Sequence, residues 1–457
     1  MMIFRMVQWW TTCAVRSLLV LATPALFAAE YFVAPDGSNE NAGTLSAPFA
    51  TITKAQELVK PGDTVFLRSG VHQVKAGEMA RRIRNYAAIF ELAKSGTKDA
   101  PIRYWAWKDE RPVLDFSEVK PPGLRVAAFW VGGSWLHLRG FEVKGVQVTL
   151  KGHTQSECFR SEGSHNVFEN LAMHDSQAIG LYLTQGSDTL VLNCDAYRNW
   201  DFTSEGGKGG NSDGFGGHPA QGAKNNVFRG CRAWFNSDDG FDCISAHESI
   251  VFENCWAFYN GFTPDFVRRA DGNGFKAGGH AGTPFNLLPK PIPRHTVRFC
   301  LAVKNRSAGF YGNHHIGGGD WFNNTALNNP VNFNMLERLP DNVTDIPGIG
   351  QKMRNNLGFR GGSEVTNLNK EKSDARSNSF DMKGLVVTEK DFASLGESQL
   401  TAPRKADGSL PDITLMHPAK GSALIDAGED IGFPCKGAKP DLGAFEFDPA
   451  AEDKPIK

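Results

Sequence analysis

The sequence predicts an all-β protein: a single-domain, right-handed parallel β-helix with an N-terminal capping helix. Short β-rich segments recur about every 24 residues, as from Cys231 to Cys255 and from Cys300 to Asn324. These segments read alike: NNVFRGCRAWFN, SIVFENCWAFYN and TVRFCLAVKN. A period near 24 residues with an asparagine at a fixed bend is typical of a parallel β-helix, in which each repeat forms one turn.

Composition and charge indicate an ordinary globular protein. The 457 residues include 49 basic and 50 acidic side chains, which gives a net charge of −1, and 41% of the chain is apolar. Such a chain has no basic field to hold nucleic acid and no charge excess that would keep it disordered. We therefore expect no nucleic-acid partner and a folded monomer.

The N-terminal residues resemble an export signal. Arg5 and Arg16 precede an apolar run, residues 17–29, that ends in the small residues Ala28 and Ala29. The run is shorter than the ~20 apolar residues of a membrane span, and no other stretch reaches that length. We predict a signal peptide at residues 1–28, a β-helix domain with its terminal caps at 29–457, and a secreted or periplasmic protein without a membrane span.

Two residue types return at fixed positions and predict stacked rows. Four cysteines are each followed five residues later by an asparagine, and Asn324 and Asn329 extend the series; the pairs are Cys194 and Asn199, Cys231 and Asn236, Cys255 and Asn260, and Cys300 and Asn305. Neighbouring turns lie ~4.8 Å apart, so a small thiol suits an interior row. The amides would hydrogen-bond from bend to bend. Two adjacent cysteines remain close enough for a disulfide.

The two ends of the chain contain candidate caps. An amphipathic stretch from Thr53 to Val59 predicts a helix over the open first turn. Near the C-terminus, the loop-rich segment that precedes Pro440 to Glu446 is expected to cover the last turn and so prevent edge pairing. Between Asp341 and Asp381 the repeat is too blurred for turns to be assigned.

Two turns carry insertions beside a recurring Gly-Phe pair. Ten residues separate Cys231 from Phe241, but 21 separate Cys194 from Phe215 and 20 separate Cys255 from Phe275. The extra residues, 201–211 and 262–271, fall at one corner, above and below the intervening turn. Long loops on a rigid scaffold often carry function. We expect them to form two walls of a cleft.

Four carboxylates flank the Gly-Phe pairs of two adjacent turns. They are Asp213 on one turn and Asp238, Asp239 and Asp242 on the next. Such a cluster needs a cation, and an oxygen-only ligand set suits calcium. Lys276 occupies the position of Asp242 one turn further on, which allows either a salt bridge or a general base.

The same segments resemble a known family. GGNSDGFGGH, FNSDDGFDCI and GNGFKAGGH look like the active-site segments of family 9 of the polysaccharide lyases, the calcium-dependent pectate lyases. The resemblance implies that Asp213, Asp238, Asp239 and Asp242 hold calcium and that Lys276 abstracts a proton. The implied reaction is β-elimination on an anionic, 4-linked galacturonan, which yields 4,5-unsaturated products.

Further substrate contacts and other functions stay open. Asn273, Arg306 and His314 lie on the turns at or after Lys276 and are candidate substrate-binding residues. One alternative is a rhamnogalacturonan lyase with the same calcium and lysine. Others are a β-helix glycoside hydrolase, which needs a carboxylate pair instead, and a non-catalytic carbohydrate-binding β-helix.

Overall fold

A computed structural model describes residues 28–449 and confirms the predicted parallel β-helix. Each full turn contributes one strand to each of three long sheets, in the chain order sheet 1, sheet 2 and sheet 3. Residues 1–27, which hold nearly all of the predicted signal peptide, lie outside the described range. Within residues 28–449, no helix has the length and apolar character needed to cross a bilayer.

The strands of the three sheets are short, and nearly all of them pair in parallel. Sheet 1 contains twelve strands: Glu30–Val33, Thr64–Leu67, Ile102–Ala106, Leu136–Arg139, Val167–Glu169, Leu190–Leu192, Asn226–Arg229, Ile250–Glu253, Thr296–Arg298, Asp320–Phe322, Lys352–Arg354 and Asp374–Arg376. Sheet 2 contains ten strands: Val71–Gln73, Val113–Asp115, Glu142–Lys144, Ala172–His174, Asp195–Tyr197, Arg232–Trp234, Trp256–Phe258, Leu301–Val303, Thr325–Leu327 and Leu357–Phe359. Sheet 3 contains eleven strands: Arg81–Ile83, which is antiparallel to the next, then Tyr86–Leu92, Arg125–Val131, Ser156–Ser161, Ala178–Leu183, Phe215–Gly217, Phe241–Asp242, Phe275–Lys276, Ala308–Tyr311, Val331–Asn334 and Ser363–Thr366.

The N-terminal cap is the α-helix Ile52–Leu58, which begins and ends one residue earlier than predicted. The Thr51 side chain accepts a hydrogen bond from the backbone N–H of Lys54 at 3.2 Å and so caps the first helical turn. Ile52 and Ala55 are buried and join the main core, so the helix closes the open end of the first turns.

Stacked rows of like residues fill the interior. Phe215, Phe241, Phe275, Phe310 and Phe333 stack on successive turns with ring centroids 4.7–5.1 Å apart. The four cysteines of the predicted row are fully buried free thiols, which confirms their packing role. On the next turn the same row is occupied by Asn324. Its side chain accepts a hydrogen bond from the backbone N–H of Cys300 at 3.0 Å.

The predicted asparagine row is a continuous chain of side-chain hydrogen bonds. Each amide nitrogen donates to the next amide oxygen at 2.9–3.1 Å, in the order Asn199, Asn236, Asn260, Asn305 and Asn329. All five side chains are buried. Buried polar groups that are satisfied in this way hold the bend of each turn in register with the next.

The blurred region of the sequence still follows the helix. Between Asp341 and Asp381 each sheet receives at least one further strand, and Phe380 packs on Phe333 at 5.3 Å. The repeat is obscured by an inserted antiparallel hairpin, Leu336–Arg338 with Asp345–Pro347.

The C-terminal segment packs beside the turns of the helix. It runs back along the outer face of sheet 2, where Leu415, Leu424 and Leu442 pack in one cluster with outward side chains of that sheet such as Phe258 and Val303. Gly443 lies against Leu357 and Thr325, and its N–H donates to Asn355. The loop-rich segment and residues 440–446 therefore pack against the side of the helix along sheet 2.

Candidate active site

The candidate site lies on the outer face of sheet 3. One outward position, aligned by parallel pairing from strand to strand, defines the outer row: Trp130, Arg160, Tyr182, Gly216, Asp242, Lys276, Tyr311 and Asn334. The residues just before it in each central strand are the stacked phenylalanines of the core. Side chains alternate between the two faces of a strand, so a phenylalanine that points into the core makes the next side chain point outward.

The glycines of the Gly-Phe pairs allow neighbouring turns to approach closely. A Cβ atom on Gly240 would lie 2.7 Å from the carbonyl oxygen of Gly274, and one on Gly274 would lie 2.5 Å from that of Gly309. Any larger residue would therefore push the turns apart. This contact explains why the Gly-Phe pair recurs beside the carboxylates.

Backbone N–H groups anchor the four predicted carboxylates, all of which are buried. Asp213 Oδ1 accepts from Asp239 N at 3.1 Å, and Asp242 Oδ1 accepts from Ile244 N at 2.7 Å. Asp239 Oδ1 accepts from the backbone N–H of Asn273 at 2.6 Å, and Asp238 Oδ1 accepts from Asp271 N at 3.0 Å. One oxygen of each carboxylate is thus fixed by the backbone.

Three of the four carboxylates converge. One carboxylate oxygen from each of Asp213, Asp239 and Asp242 lies within 4.8 Å of the other two. Asp238 is buried beside this trio but is not part of it. Lys276 lies among them, with Nζ 3.0 Å from Asp239 Oδ2 and 3.3 Å from Asp242 Oδ2.

Burial and mutual repulsion make the cluster electrostatically strained. Burial, reinforced by the charges of the neighbouring aspartates, raises the pKa of Asp213 and that of Asp238. The pKa of Asp239 is also raised, because burial outweighs the attraction of Lys276. The pKa of Lys276 is raised as well: burial lowers it, but the charges of Asp239 and the other aspartates exceed that effect. Several carboxylates thus share one ammonium group.

The donor set fits a calcium ion. The converging atoms are all carboxylate oxygens, and Asp239 Oδ2 is a buried oxygen that accepts no hydrogen bond despite its proximity to Lys276. Calcium takes six to eight oxygen ligands in flexible geometry, whereas zinc prefers nitrogen and sulfur. Asp213, Asp239 and Asp242, with Asp238 beside them, are the residues that would hold it.

The two inserted loops join into one wall of the cleft. The guanidinium of Arg269 lies 3.9 Å from the centre of the Trp200 ring, and Ala270 N donates to Ser237 O at 2.9 Å. Both loops lie at the corner between sheets 2 and 3. The prediction of two separate walls is wrong in this respect, because loops on one side of sheet 3 meet over the intervening turn.

Loops at the corner between sheets 3 and 1 follow the opposite edge of sheet 3. They include residues 277–295 and the hairpin Leu336–Arg338 with Asp345–Pro347. Asn342 in the hairpin donates to Thr283 O at 2.7 Å, which connects the two segments.

The three predicted substrate-binding residues are each engaged within the protein. Asn273 is buried: its Nδ2 donates to Asp239 Oδ1 at 2.8 Å and its Oδ1 accepts from Ala308 N at 3.1 Å, so it positions Asp239. Arg306 donates to the carbonyl groups of Ala270 and Asp271 and holds the second loop.

His314 is half-buried, with 23% of its side chain exposed. Its Nδ1 lies 2.7 Å from Asp345 Oδ1, and its ring meets Tyr311 edge to face. Tyr311 follows Lys276 in the outer row, so His314 borders the cleft.

Sequence reasoning missed His218 and Tyr182, which lie on the other side of the cluster. Their rings stack with centroids 4.6 Å apart, and Tyr182 belongs to the outer row. Burial lowers the pKa of His218 despite the nearby charge of Asp242. The signal was the His that ends GFGGH, two residues after an outward-facing glycine.

Comparison with known proteins supports one family. The family described as Pel9A-like, right handed beta helix region matches residues 31–356. Pectate lyase L of Dickeya chrysanthemi is 35% identical over 423 residues, which cover 91% of this chain and 90% of that protein.

Two solved structures share both fold and sequence with this chain. A rhamnogalacturonan lyase structure matches with a TM-score of 0.82 and 44% identity, covering 86% of this chain and 97% of the other. The crystal structure of pectate lyase Pel9A matches with a TM-score of 0.74 and 33% identity, covering 92% and 96%. This chain therefore belongs to the Pel9A-like family of right-handed β-helix proteins.

Proposed function

We propose that this chain is a pectate lyase, which cleaves 4-linked galacturonan by calcium-assisted β-elimination. The observation that carries the proposal is the convergence of Asp213, Asp239 and Asp242 around the ammonium group of Lys276. The buried carboxylates outnumber the single ammonium group beside them, so the site suits a bound metal ion and an anionic substrate. Hydrolysis would instead need two free carboxyl groups, one as acid and one as base. The named pectate lyases among its relatives support the same function.

In the proposed reaction, Lys276 Nζ in its neutral amine form takes the proton from C5 of a galacturonate unit. A cation held by the aspartates would offset the negative charges that raise the pKa of Lys276 and so make this form accessible. The electron pair of the C5–H bond forms the C4=C5 double bond, and the bond from C4 to the glycosidic oxygen breaks. The leaving oxygen is protonated from solvent, and no water is added across the bond. When bound, calcium would supply Lewis-acid stabilisation of the negative charge that develops next to the substrate carboxylate.

The residues of the chain prepare this step by position. The backbone bonds to Asp213, Asp239 and Asp242 fix the carboxylates before a cation arrives, which lowers the entropy cost of forming the site. Asn273 holds Asp239 through both its backbone and its side chain. Lys276 is restrained by its strand, because parallel pairing on both sides aligns it with Asp242 and Tyr311.

A rhamnogalacturonan lyase is the second candidate. The specific observation in its favour is the 44% identity to a structure of that name, compared with 33% to pectate lyase Pel9A. Both candidates require a 4-linked galacturonate at the cluster, so they share the calcium and Lys276. They differ in the neighbouring sugar, which is a uronate in one polymer and a neutral deoxy sugar in the other. Export from the cell, as the N-terminal sequence predicts, fits either polymer.

The test is incubation of the protein with polygalacturonate and with rhamnogalacturonan, each with calcium or with a chelator. We expect ultraviolet absorbance from an unsaturated product on at least one polymer, and its loss in chelator. New reducing ends without this absorbance would indicate hydrolysis and contradict the proposal. Binding to a polymer with no bond cleavage would favour a carbohydrate-binding β-helix.

A further inference from the structure

We propose that His218 is a substrate-binding residue whose Nε2 atom accepts a hydrogen bond from a ring hydroxyl of the substrate. This hydroxyl would belong to the sugar unit next to the one held at the carboxylate cluster. The inference rests on the proposed function, since it assumes that a polysaccharide lies along the outer row.

The position of His218 is set by the glycine in the outer row. Gly216 lies between Tyr182 and Asp242 in that row, and a Cβ atom there would lie 2.8 Å from His218 Nε2. The imidazole therefore lies over the bare backbone of Gly216. It fills the place in the outer row one turn before Asp242. Because neighbouring turns are ~4.8 Å apart, the ring lies about that distance along the row from the position of Asp242.

Contacts on two sides fix the orientation of the ring. His218 Nδ1 lies 2.7 Å from the carbonyl oxygen of Ile244, and the ring stacks on Tyr182 with an interplanar angle of 22°. A carbonyl oxygen only accepts hydrogen bonds, so Nδ1 carries the proton. Burial lowers the pKa of His218 below that of an ordinary imidazole, so at the alkaline pH of a lyase assay the ring is neutral and Nε2 presents a lone pair.

This lone pair has no partner among residues 28–449. The hydrogen bond that the imidazole ring makes within the described range goes to Ile244 O and uses the other ring nitrogen, Nδ1. A lone pair attracts a hydroxyl group and disfavours a carboxylate, so the chemistry selects a sugar hydroxyl at this position. Tyr182, the next residue in the row, is also uncharged, in contrast to Asp242 and Lys276 on the other side.

Two substitutions separate substrate binding from a purely structural role. In His218→Asn the amide N–H can still reach Ile244 O, but nothing replaces the Nε2 acceptor. In His218→Gln the longer side chain carries its amide to the Nε2 position and loses the bond to Ile244. We expect kcat/KM to fall about tenfold in His218→Asn, mainly through KM, and to recover at least in part in His218→Gln. The opposite ranking, with His218→Asn at the wild-type level, would overturn the proposal.

A third variant moves the ring without changing it. Gly216→Ala places a methyl group against Nε2 and against Tyr182, 2.9 Å from the hypothetical Cβ, and we expect a similar rise in KM. The matched control is His174→Asn, because His174 stacks on Tyr197 at 4.7 Å on sheet 2, away from the cleft. Calcium affinity, measured by calorimetry, should be unchanged in His218→Asn and His174→Asn.

Calorimetric titration of wild type and His218→Asn with oligogalacturonate and with a rhamnogalacturonan oligosaccharide separates this inference from the proposed function. If wild type binds an oligosaccharide but forms no unsaturated product, the proposed reaction fails, and weaker binding by His218→Asn still supports the subsite. Equal affinity of both proteins, or no binding by wild type, would refute the subsite.

Discussion

The two faces of the central strands of sheet 3 differ in what they repeat from turn to turn. Phe241 and Phe275 point inward and belong to a row of five stacked phenylalanines. Asp242 and Lys276, each one residue further on, point outward and carry opposite charges. The same backbone therefore repeats one residue type on its inner face and changes it from turn to turn on its outer face.

The difference follows from what each face contacts. An inward side chain contacts its counterparts on the turns before and after it, so like residues that stack well are repeated. An outward side chain on sheet 3 faces solvent or ligand and is free of that constraint. Repetition in a β-helix thus indicates structure, and a break in repetition at an outward position indicates a candidate site.

The strongest test of this comparison is the outward Lys276. We expect Lys276→Ala to lower the initial rate of unsaturated product formation by at least ~10²–10⁴-fold, because a general base is lost. Lys276→Arg should fail too: it can keep the ion pairs with Asp239 and Asp242 but has a pKa above ~12 and rarely gives up its proton. The rates are measured in saturating calcium at alkaline pH.

The control for Lys276 is Lys352→Ala, a lysine exposed on sheet 1 with Nζ 5.6 Å from the Phe322 ring centre. That variant should retain the wild-type rate. Wild-type activity in Lys276→Arg would mean that another residue is the base. The change from the repeat at this outward position would then indicate only a salt bridge.

A second test concerns the carboxylates, whose charges are costly without a cation. In Asp213→Asn the amide oxygen can still accept from Asp239 N, but a buried charge repelled by Asp238 is removed. We expect calcium affinity to fall by more than about tenfold, since a charged ligand is lost. The metal-free protein should become more stable near pH 8, because the raised pKa shows that the charged carboxylate is unfavourable there.

Calorimetry and urea unfolding in chelator measure these two effects. Asp188→Asn is the control, because Asp188 is an exposed turn residue whose partners, His165 and Asn225, are also at the surface. An unchanged calcium affinity in Asp213→Asn would remove this residue from the metal site.

The sequence was sufficient to predict the interior rows of like residues, but not the arrangement of the loops. The spacing of Cys231, Cys255 and Asn260 predicted interior rows, because identical neighbours are a property of the repeat itself. The joined wall depends on Arg269 stacking on Trp200, a contact between two insertions that no periodicity encodes. The path of the C-terminal segment along sheet 2 was not predicted for the same reason, since it depends on scattered leucines that pack on outward aromatic and aliphatic residues.

The site was predicted in part. Register placed Asp213, Asp239, Asp242 and Lys276 together. In the structure one oxygen of each aspartate lies within 4.8 Å of the others, and Lys276 Nζ lies 3.0 Å from Asp239 and 3.3 Å from Asp242. Asn273 shares that register, but register does not tell whether a side chain points to a ligand or back into the protein. Its amide binds Asp239, a choice set by local hydrogen-bond geometry.

The third test breaks an inner row. Asn260→Ala removes the amide that accepts from Asn236 and donates to Asn305, both at 3.0 Å, and leaves buried polar groups unsatisfied. We expect the free energy of unfolding to fall by about 3 kcal/mol, measured by urea denaturation. Asn85→Ala, at an exposed turn position outside the left-handed backbone region, should change it by less than about 0.5 kcal/mol. Equal effects of the two substitutions would show that the inner row does not stabilise the helix.

The smallest effect is expected at Glu157, a buried carboxylate that stands two turns before Asp213 at the same register position. It accepts hydrogen bonds from Tyr86 Oη and from Arg160 Nη1, both at 2.9 Å. Burial outweighs these contacts and raises the pKa of Glu157 to about 7. Because the folded protein holds this proton more tightly than the unfolded chain, the resulting stability is present below about pH 4.5 and is lost as the pH rises through about 7.

Glu157→Gln removes this titration while the amide can still accept from Tyr86 and Arg160. We expect the free energy of unfolding of wild type to decline between pH 5 and pH 8 relative to the variant, as measured by urea denaturation at each pH. Parallel curves would mean that the charge of Arg160 fully offsets burial. A decline would show that an outward carboxylate paired with one arginine still pays a burial cost, which supports the need for a divalent cation where Asp213, Asp239 and Asp242 meet.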